Sequence, residues 1–194
     1  MSKLEISAFI LNVLGVWLTS KQYRICWLIN IVAVLLYAII FYEVNLYADA
    51  SLQVVFVLMQ LYGWYSWSKK ANQTQAVVDP SYIPQKVLIY SIVTGVVFGL
   101  ILGSGFATWT QAELPWLDSM LASFSLVASY WAAKKYIETW SLWCVVDTLY
   151  VGMFIHKSLY VTALLYFIFI VLALNGWRMW RHHYQTQNRM ASQI

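Results

Sequence analysis

The stretch 138-ETWSLWCVVDTLYVGMFIH-156 decides how the rest of the chain is read. Trp140, Trp143 and Asp147 recur at spacings of three and four, so on a helix they form one stripe. The run is apolar and long enough to cross a bilayer, which places the carboxylate near mid-depth beside two indole rings. A charge there costs about 2.5–3.5 kcal/mol on insertion scales, so a chain that keeps one uses it. The stripe points to a site for a flat, cationic, water-soluble molecule.

Composition sets the class around that stretch. Of 194 residues, 61% are hydrophobic and 10% charged, more apolar surface than a soluble domain can hide. The chain therefore reads as an all-α polytopic membrane protein. Its net charge of +4 does not point to nucleic acid, because the basic residues fall in short runs at span ends, where bilayer orientation requires them. Cys26 and Cys144 lie inside apolar segments and read as packing residues rather than a disulfide. The first apolar stretch, Ile6 to Leu18, is followed by Thr-Ser-Lys-Gln rather than a small-residue cleavage site, so it reads as a span that stays.

Apolar runs fall at about 4–19, 25–42, 46–68, 87–107, 117–133, 138–156 and 159–180, giving seven spans. Lys69 to Lys86, with Asp79, Pro80 and Pro84, reads as the one linker. Tight turns are expected near Val44-Asn45 and Lys157-Ser158, a frayed polar tail after Arg181, and an N-cap for span five at Asp118-Ser119. Seven spans put Lys3 and Lys157 on one side and the other ten of the 12 basic residues on the opposite side. That side is then cytoplasmic, with the amino terminus outside and the carboxyl terminus inside.

A shift of 113 residues carries Lys21, Tyr23, Trp27, Tyr37 and Phe41 onto Lys134, Tyr136, Trp140, Tyr150 and Phe154. The same shift carries Leu46-Tyr47 onto Leu159-Tyr160, and Gly63, Trp64 and Trp67 onto Gly176, Trp177 and Trp180. Common helical periodicity does not align Trp, Tyr and Gly in one register. The chain thus reads as a duplicated three-span unit with span four between the copies, the parallel-repeat layout of a transporter with its site between the halves. The division is 1–68 for the first repeat, 69–107 for linker and fourth helix, 108–181 for the second repeat and 182–194 for a cytoplasmic tail.

The copies differ at the site: Asn30 stands opposite Trp143 and Val34 opposite Asp147. Indole faces attract a cation, Asp147 supplies the counter-charge, and the amides of Gln53, Gln60, Asn175 and Asn30 can bond hydroxyls or a carboxamide. Trp27, Trp64, Trp67, Trp177 and Trp180 sit near span ends and read mainly as interfacial belt. His182-His183 follow Arg181 at a polar end and read as a solvated basic face, so no metal or cofactor is expected. A membrane enzyme would need a nucleophile and base at depth, and Asp147 stands there without His, Lys or Arg. A retinal receptor would need a Schiff-base lysine, which the run from Leu159 to Trp177 lacks.

The pattern Trp140-x-x-Trp143-x-x-x-Asp147, the later Leu159-Tyr160, and the endings Tyr62-Gly63-Trp64-Tyr65-x-Trp67 and Leu174-Asn175-Gly176-Trp177-Arg178-Met179-Trp180 resemble the Pnu family of bacterial vitamin transporters. The resemblance runs from about Trp17 to Arg181. It implies seven helices in a 3-1-3 order similar to SWEET-type sugar transporters, and a homotrimer in the bacterial inner membrane. It also implies facilitated diffusion of nicotinamide riboside, trapped by a cytoplasmic vitamin kinase. Onto matching positions it carries Trp140, Trp143, Asp147, Gln53 and Gln60 as ligand contacts. Riboside-specific members have an Asn where Asp147 and Gln60 stand, which keeps thiamine open as the substrate. A channel or sensor is the reading from another class.

Overall fold

The computed structural model describes residues 3–43, 47–73, 79–109, 114–158 and 160–191. Seven helices follow one another among them: α1 (Lys3–Ser20), α2 (Ile25–Glu43), α3 (Tyr47–Gln73), α4 (Gln85–Trp109), α5 (Pro115–Lys134), α6 (Glu138–His156) and α7 (Tyr160–Ala191). Helices α2, α4 and α7 are each long and apolar enough to cross a membrane, and Ile6–Ser20 is a shorter apolar stretch. Helices α5 and α6 are less apolar because Ser125, Ser129 and Asp147 are turned toward the interior.

The same helix-ending geometry occurs at two places 113 residues apart. Where α1 ends, Gln22 takes a left-handed conformation, with its N–H on the Thr19 carbonyl and the Tyr23 N–H on that of Leu18. Where α5 ends, Lys135 does the same, with its N–H on Ala132 and the Tyr136 N–H on Trp131. This is a Schellman-type stop, which takes up helix carbonyls that would otherwise lack donors. Helices α1, α2 and α3 pack in sequence, α6 packs on α7, and α5 on both α4 and α6. Contacts of α1 with α7 and of α3 with α5 join the two units.

That junction is aromatic and reciprocal. The Trp67 indole N–H donates to the Ala132 carbonyl at 3.3 Å, and the Trp180 N–H donates to the Ser20 carbonyl at 3.1 Å. Trp27 meets Trp67 edge-on at 5.4 Å, and Trp140 meets Trp180 edge-on at 5.2 Å. The rings approach because Gly63 and Gly176 carry no side chain, since a Cβ at either position would collide with Trp27 or Trp140. Trp27, Trp67 and Trp180 are therefore core and not interfacial belt, being at most 3% exposed. Trp64 and Trp177 pack partly buried against the same cluster.

Helix α4 lies along α5 through Gly95, Gly99 and Gly103, which face Phe124, Met120 and Trp116. The Ser123 hydroxyl donates to the Gly95 carbonyl at 2.7 Å. Small residues permit this close approach, which is how helices associate without a hydrophobic gain in lipid.

Three expectations change. Helix α7 does not fray after Arg181 but continues to Ala191, with Tyr184 edge-on to Tyr82 and His183 3.2 Å from Asp79. Helix α3 likewise runs past residue 68 to Gln73. Asp118 and Ser119 do not cap α5, because Pro115 already opens it with a preset φ and Leu114 holds the cap position. Asp118 pairs instead with Lys157 at 3.2 Å. The Lys157-Ser158 turn is tight, with Ser158 left-handed; the turn near Val44-Asn45 lies outside the described residues.

Candidate functional site

A cavity of about 1140 Å³ opens inside the bundle, lined by residues of all seven helices. Small-molecule sites span roughly 300–1,000 Å³, so it holds a vitamin-sized ligand with room to spare. Trp27 and Trp140 lie at the end where the α1–α2 and α5–α6 turns meet, and the Asp118–Lys157 pair lies toward the other end.

Helix α6 supplies Trp140, Trp143, Asp147 and Tyr150 to the wall, as its three-and-four spacing requires. Helix α3 supplies Gln53 and Gln60, two turns apart on one face, and α2 supplies Asn30. The structure thus brings together Trp140, Trp143, Asp147, Gln53, Gln60 and Asn30. It does not bring Asn175 there: that side chain sits on the exposed face of α7, its amide directed to the Met179 sulfur at 3.7 Å. Gly176 is the residue that turns inward at that point, beneath Trp140.

The electrostatics follow from burial. Asp147 is 2% exposed, and among the described residues its Oδ1 has no hydrogen-bond partner. The Gln60 Oε1 and the indole N–H groups of Trp27 and Trp140 are likewise buried and unpartnered. Buried polar atoms are nearly always bonded, so such a set lining one cavity marks a place where a ligand supplies the partners. Two acceptors and two donors around aromatic faces suit a flat cation with hydroxyls or an amide.

The repeat also delivers wall residues that spacing alone did not single out. Tyr37 and Phe41 stand 6.0 Å apart on the first unit, and Tyr150 and Phe154 stack at 5.7 Å on the second, where Tyr166 packs against both. All five line the cavity. The registration of Tyr37 with Tyr150 and of Phe41 with Phe154 across the 113-residue shift was the available signal for four of them, and Tyr166 had none. Ser125 and Ser129 also line the cavity, each hydroxyl donating to a carbonyl of its own helix.

Two helical repeats closing a polar, aromatic-walled cavity in an apolar bundle define a multi-pass membrane transporter. Residues 2–182 match the family described as nicotinamide mononucleotide transporter, and the chain belongs to that family. It is 30% identical to the nicotinamide riboside transporter PnuC of Escherichia coli, over 93% of this chain and 85% of that protein. It is 26% identical to the riboflavin/roseoflavin transporter RibM of Streptomyces davaonensis, over 70% of this chain and 65% of that one. The crystal structure of the vitamin B3 transporter PnuC matches the fold with a TM-score of 0.76 at 22% identity, over 94% of this chain and 82% of the other.

Proposed function

We propose that this protein takes up nicotinamide riboside by facilitated diffusion, with the cavity exposed to one side of the membrane and then the other as the two repeats rock. The observation that carries the reading is the buried, unpartnered Asp147 oxygen, on the stripe that also bears Trp140 and Trp143. A pyridinium between indole faces gains cation–π attraction and a counter-charge, and the amides of Gln53, Gln60 and Asn30 are within the same wall to meet ribose hydroxyls and the carboxamide.

The end bearing Lys21, Arg24, Lys134 and Lys135 faces the cytoplasm of a bacterial inner membrane, by the distribution of basic residues. The amino terminus is then outside and the carboxyl terminus inside. Facilitated diffusion cannot concentrate its substrate, so net uptake needs a reaction that removes the product, and a cytoplasmic kinase phosphorylating the vitamin supplies it. The rocking bodies are the repeats 1–68 and 108–181, with 69–107 as spacer and 182–194 as the cytoplasmic end, assembled as a homotrimer as the family resemblance implies.

Thiamine is the second reading, because Asp147 also suits a thiazolium and can pair with an aminopyrimidine edge. Uptake of labelled nicotinamide riboside, thiamine and riboflavin into proteoliposomes, with and without a pH gradient, decides among these. The expected result is riboside uptake that equilibrates and ignores the gradient. Preference for thiamine transfers the site to that vitamin, and a response to the gradient makes Asp147 a proton carrier.

A further inference from the structure

The two repeats are alike at the basic end except in what holds them. Their helix-stopping turns meet on the pseudo-axis: Lys135 Nζ donates to Gln22 Oε1 at 2.8 Å, and these residues are equivalents, 113 positions apart. Lys135 is 4% exposed, with its ammonium 4.5 Å from the centre of the Trp67 ring. Beside it, the Ser66 hydroxyl donates to the Ala133 carbonyl at 3.1 Å. Together with the crossed Trp67 and Trp180 bonds, this contact closes the bundle beneath Trp27 and Trp140.

The α5–α6 turn is anchored from outside. The segment 79–84 lies across it as a strap: the Ser81 N–H donates to the Lys135 carbonyl, and the Ile137 N–H donates to the Ser81 carbonyl, each at 3.0 Å. The Ile83 N–H donates to the Glu138 carboxylate at 3.0 Å. The strap is held in turn by the far end of α7, through His183 with Asp79 and Tyr184 with Tyr82. Among the described residues the α1–α2 turn has no such strap. Among the described residues, no backbone hydrogen bond from outside α1 and α2 reaches Lys21–Arg24, and Tyr23 is 57% exposed.

From this asymmetry we infer that the basic end opens by movement of the α1–α2 turn away from a stationary, strapped α5–α6 turn, with the Gln22–Lys135 hydrogen bond as the latch. The inference rests on the transporter reading. Two stops of equal intrinsic geometry differ in mobility when one carries two extra backbone–backbone bonds and a backbone-to-carboxylate bond from the strap and the other carries none from the described residues, since local opening follows the contacts that must be broken.

The test uses the full chain with Cys26→Ser and Cys144→Ser, since both native cysteines are free. One variant adds Gln22→Cys and Lys135→Cys, another Ser81→Cys and Tyr136→Cys, and each is oxidised to a disulfide in proteoliposomes. Oxidation of the first is expected to reduce vitamin uptake to that of empty vesicles, and reduction to restore it. Oxidation of the second is expected to leave uptake within about twofold, because the strap does not move. Full uptake through the cross-linked latch, or a block by the cross-linked strap, overturns the inference. Should the reduced proteins carry none of the three vitamins, the transport reading fails, and a separate readout judges the latch. Val34→Cys, in the cavity wall, is expected to react faster with a membrane-impermeant thiol reagent applied at the basic end when Gln22→Leu is added. Equal rates overturn the latch independently of substrate.

Discussion

Lys135 donates a hydrogen bond to Gln22 at 2.8 Å, and the two residues stand 113 positions apart, each the left-handed residue at the end of its helix. Such a self-pairing of equivalents occurs where a pseudo-two-fold axis passes, so it locates the axis between the α1–α2 and α5–α6 turns. The same axis relates Trp67 to Trp180, whose indole N–H groups cross it to the carbonyls of Ala132 and Ser20, acceptors one residue out of register with each other.

The reciprocity predicts matched costs. Trp67→Phe and Trp180→Phe each remove an indole N–H from a buried carbonyl and part of a core ring, for about 1–3 kcal/mol apiece. Thermal unfolding of the two variants in detergent should show decreases of similar size. A large cost for one and none for the other would mean that the two halves are not held by equivalent contacts.

Glycine position predicts opposite signs within the second repeat. At Gly176 a Cβ would come 2.6 Å from the Trp140 ring, so Gly176→Ala overpacks the junction by about 1–3 kcal/mol and weakens ligand binding by shifting Trp140. Gly152, about one turn before the C-terminal end of α6, has nothing within 4 Å of its Cβ position among the described residues. Gly152→Ala is expected to stabilise the helix by up to about 1 kcal/mol. Melting temperatures of the pair give the comparison.

The ion pair at the other end of the cavity is expected to matter little for stability. Asp118 and Lys157 keep 33% and 21% of their side chains exposed, so solvent screens the pair and Lys157→Met costs less than about 1 kcal/mol. Chemical or thermal unfolding that shows a severe loss would mean that the pair is a buried structural link.

Charge on the ligand should be read by Asp147. Nicotinamide riboside is expected to bind more tightly than its uncharged dihydropyridine form by about 10- to 100-fold, the range of a charge-assisted contact in a dry site. Asp147→Asn is expected to remove most of that preference. Competition binding with the two forms measures it, and a preference that survives the substitution places the cation elsewhere.

Much of this was legible in the residues because aromatic and glycine positions carry register. The Trp27/Trp140 and Gly63/Gly176 pairs exposed the duplication, and the α6 spacing put Trp140, Trp143 and Asp147 on the wall where the structure has them. What was not legible depends on packing between the copies. Trp27, Trp67 and Trp180 look like interfacial belt from their place in the chain, and only the meeting of the two repeats buries them. Asn175 read as a wall amide from its chemistry, yet Gly176 takes the inward position, beneath Trp140. The continuation of α7 to Ala191 escaped a reading based on hydropathy, since it is held by Asp79 and Tyr82 from a distant segment.

The most direct measurement is a titration of the purified protein with nicotinamide riboside, followed by tryptophan fluorescence, in the parent, Trp143→Ala and Asp147→Asn. The cavity wall carries Trp27, Trp140 and Trp143, so binding is expected to quench the parent saturably. Trp143→Ala is expected to weaken binding by about 0.5–2 kcal/mol, as loss of a cation–π face requires, and Asp147→Asn by more. Binding as tight as the parent's in both variants would contradict the assignment of the site to this stripe of α6.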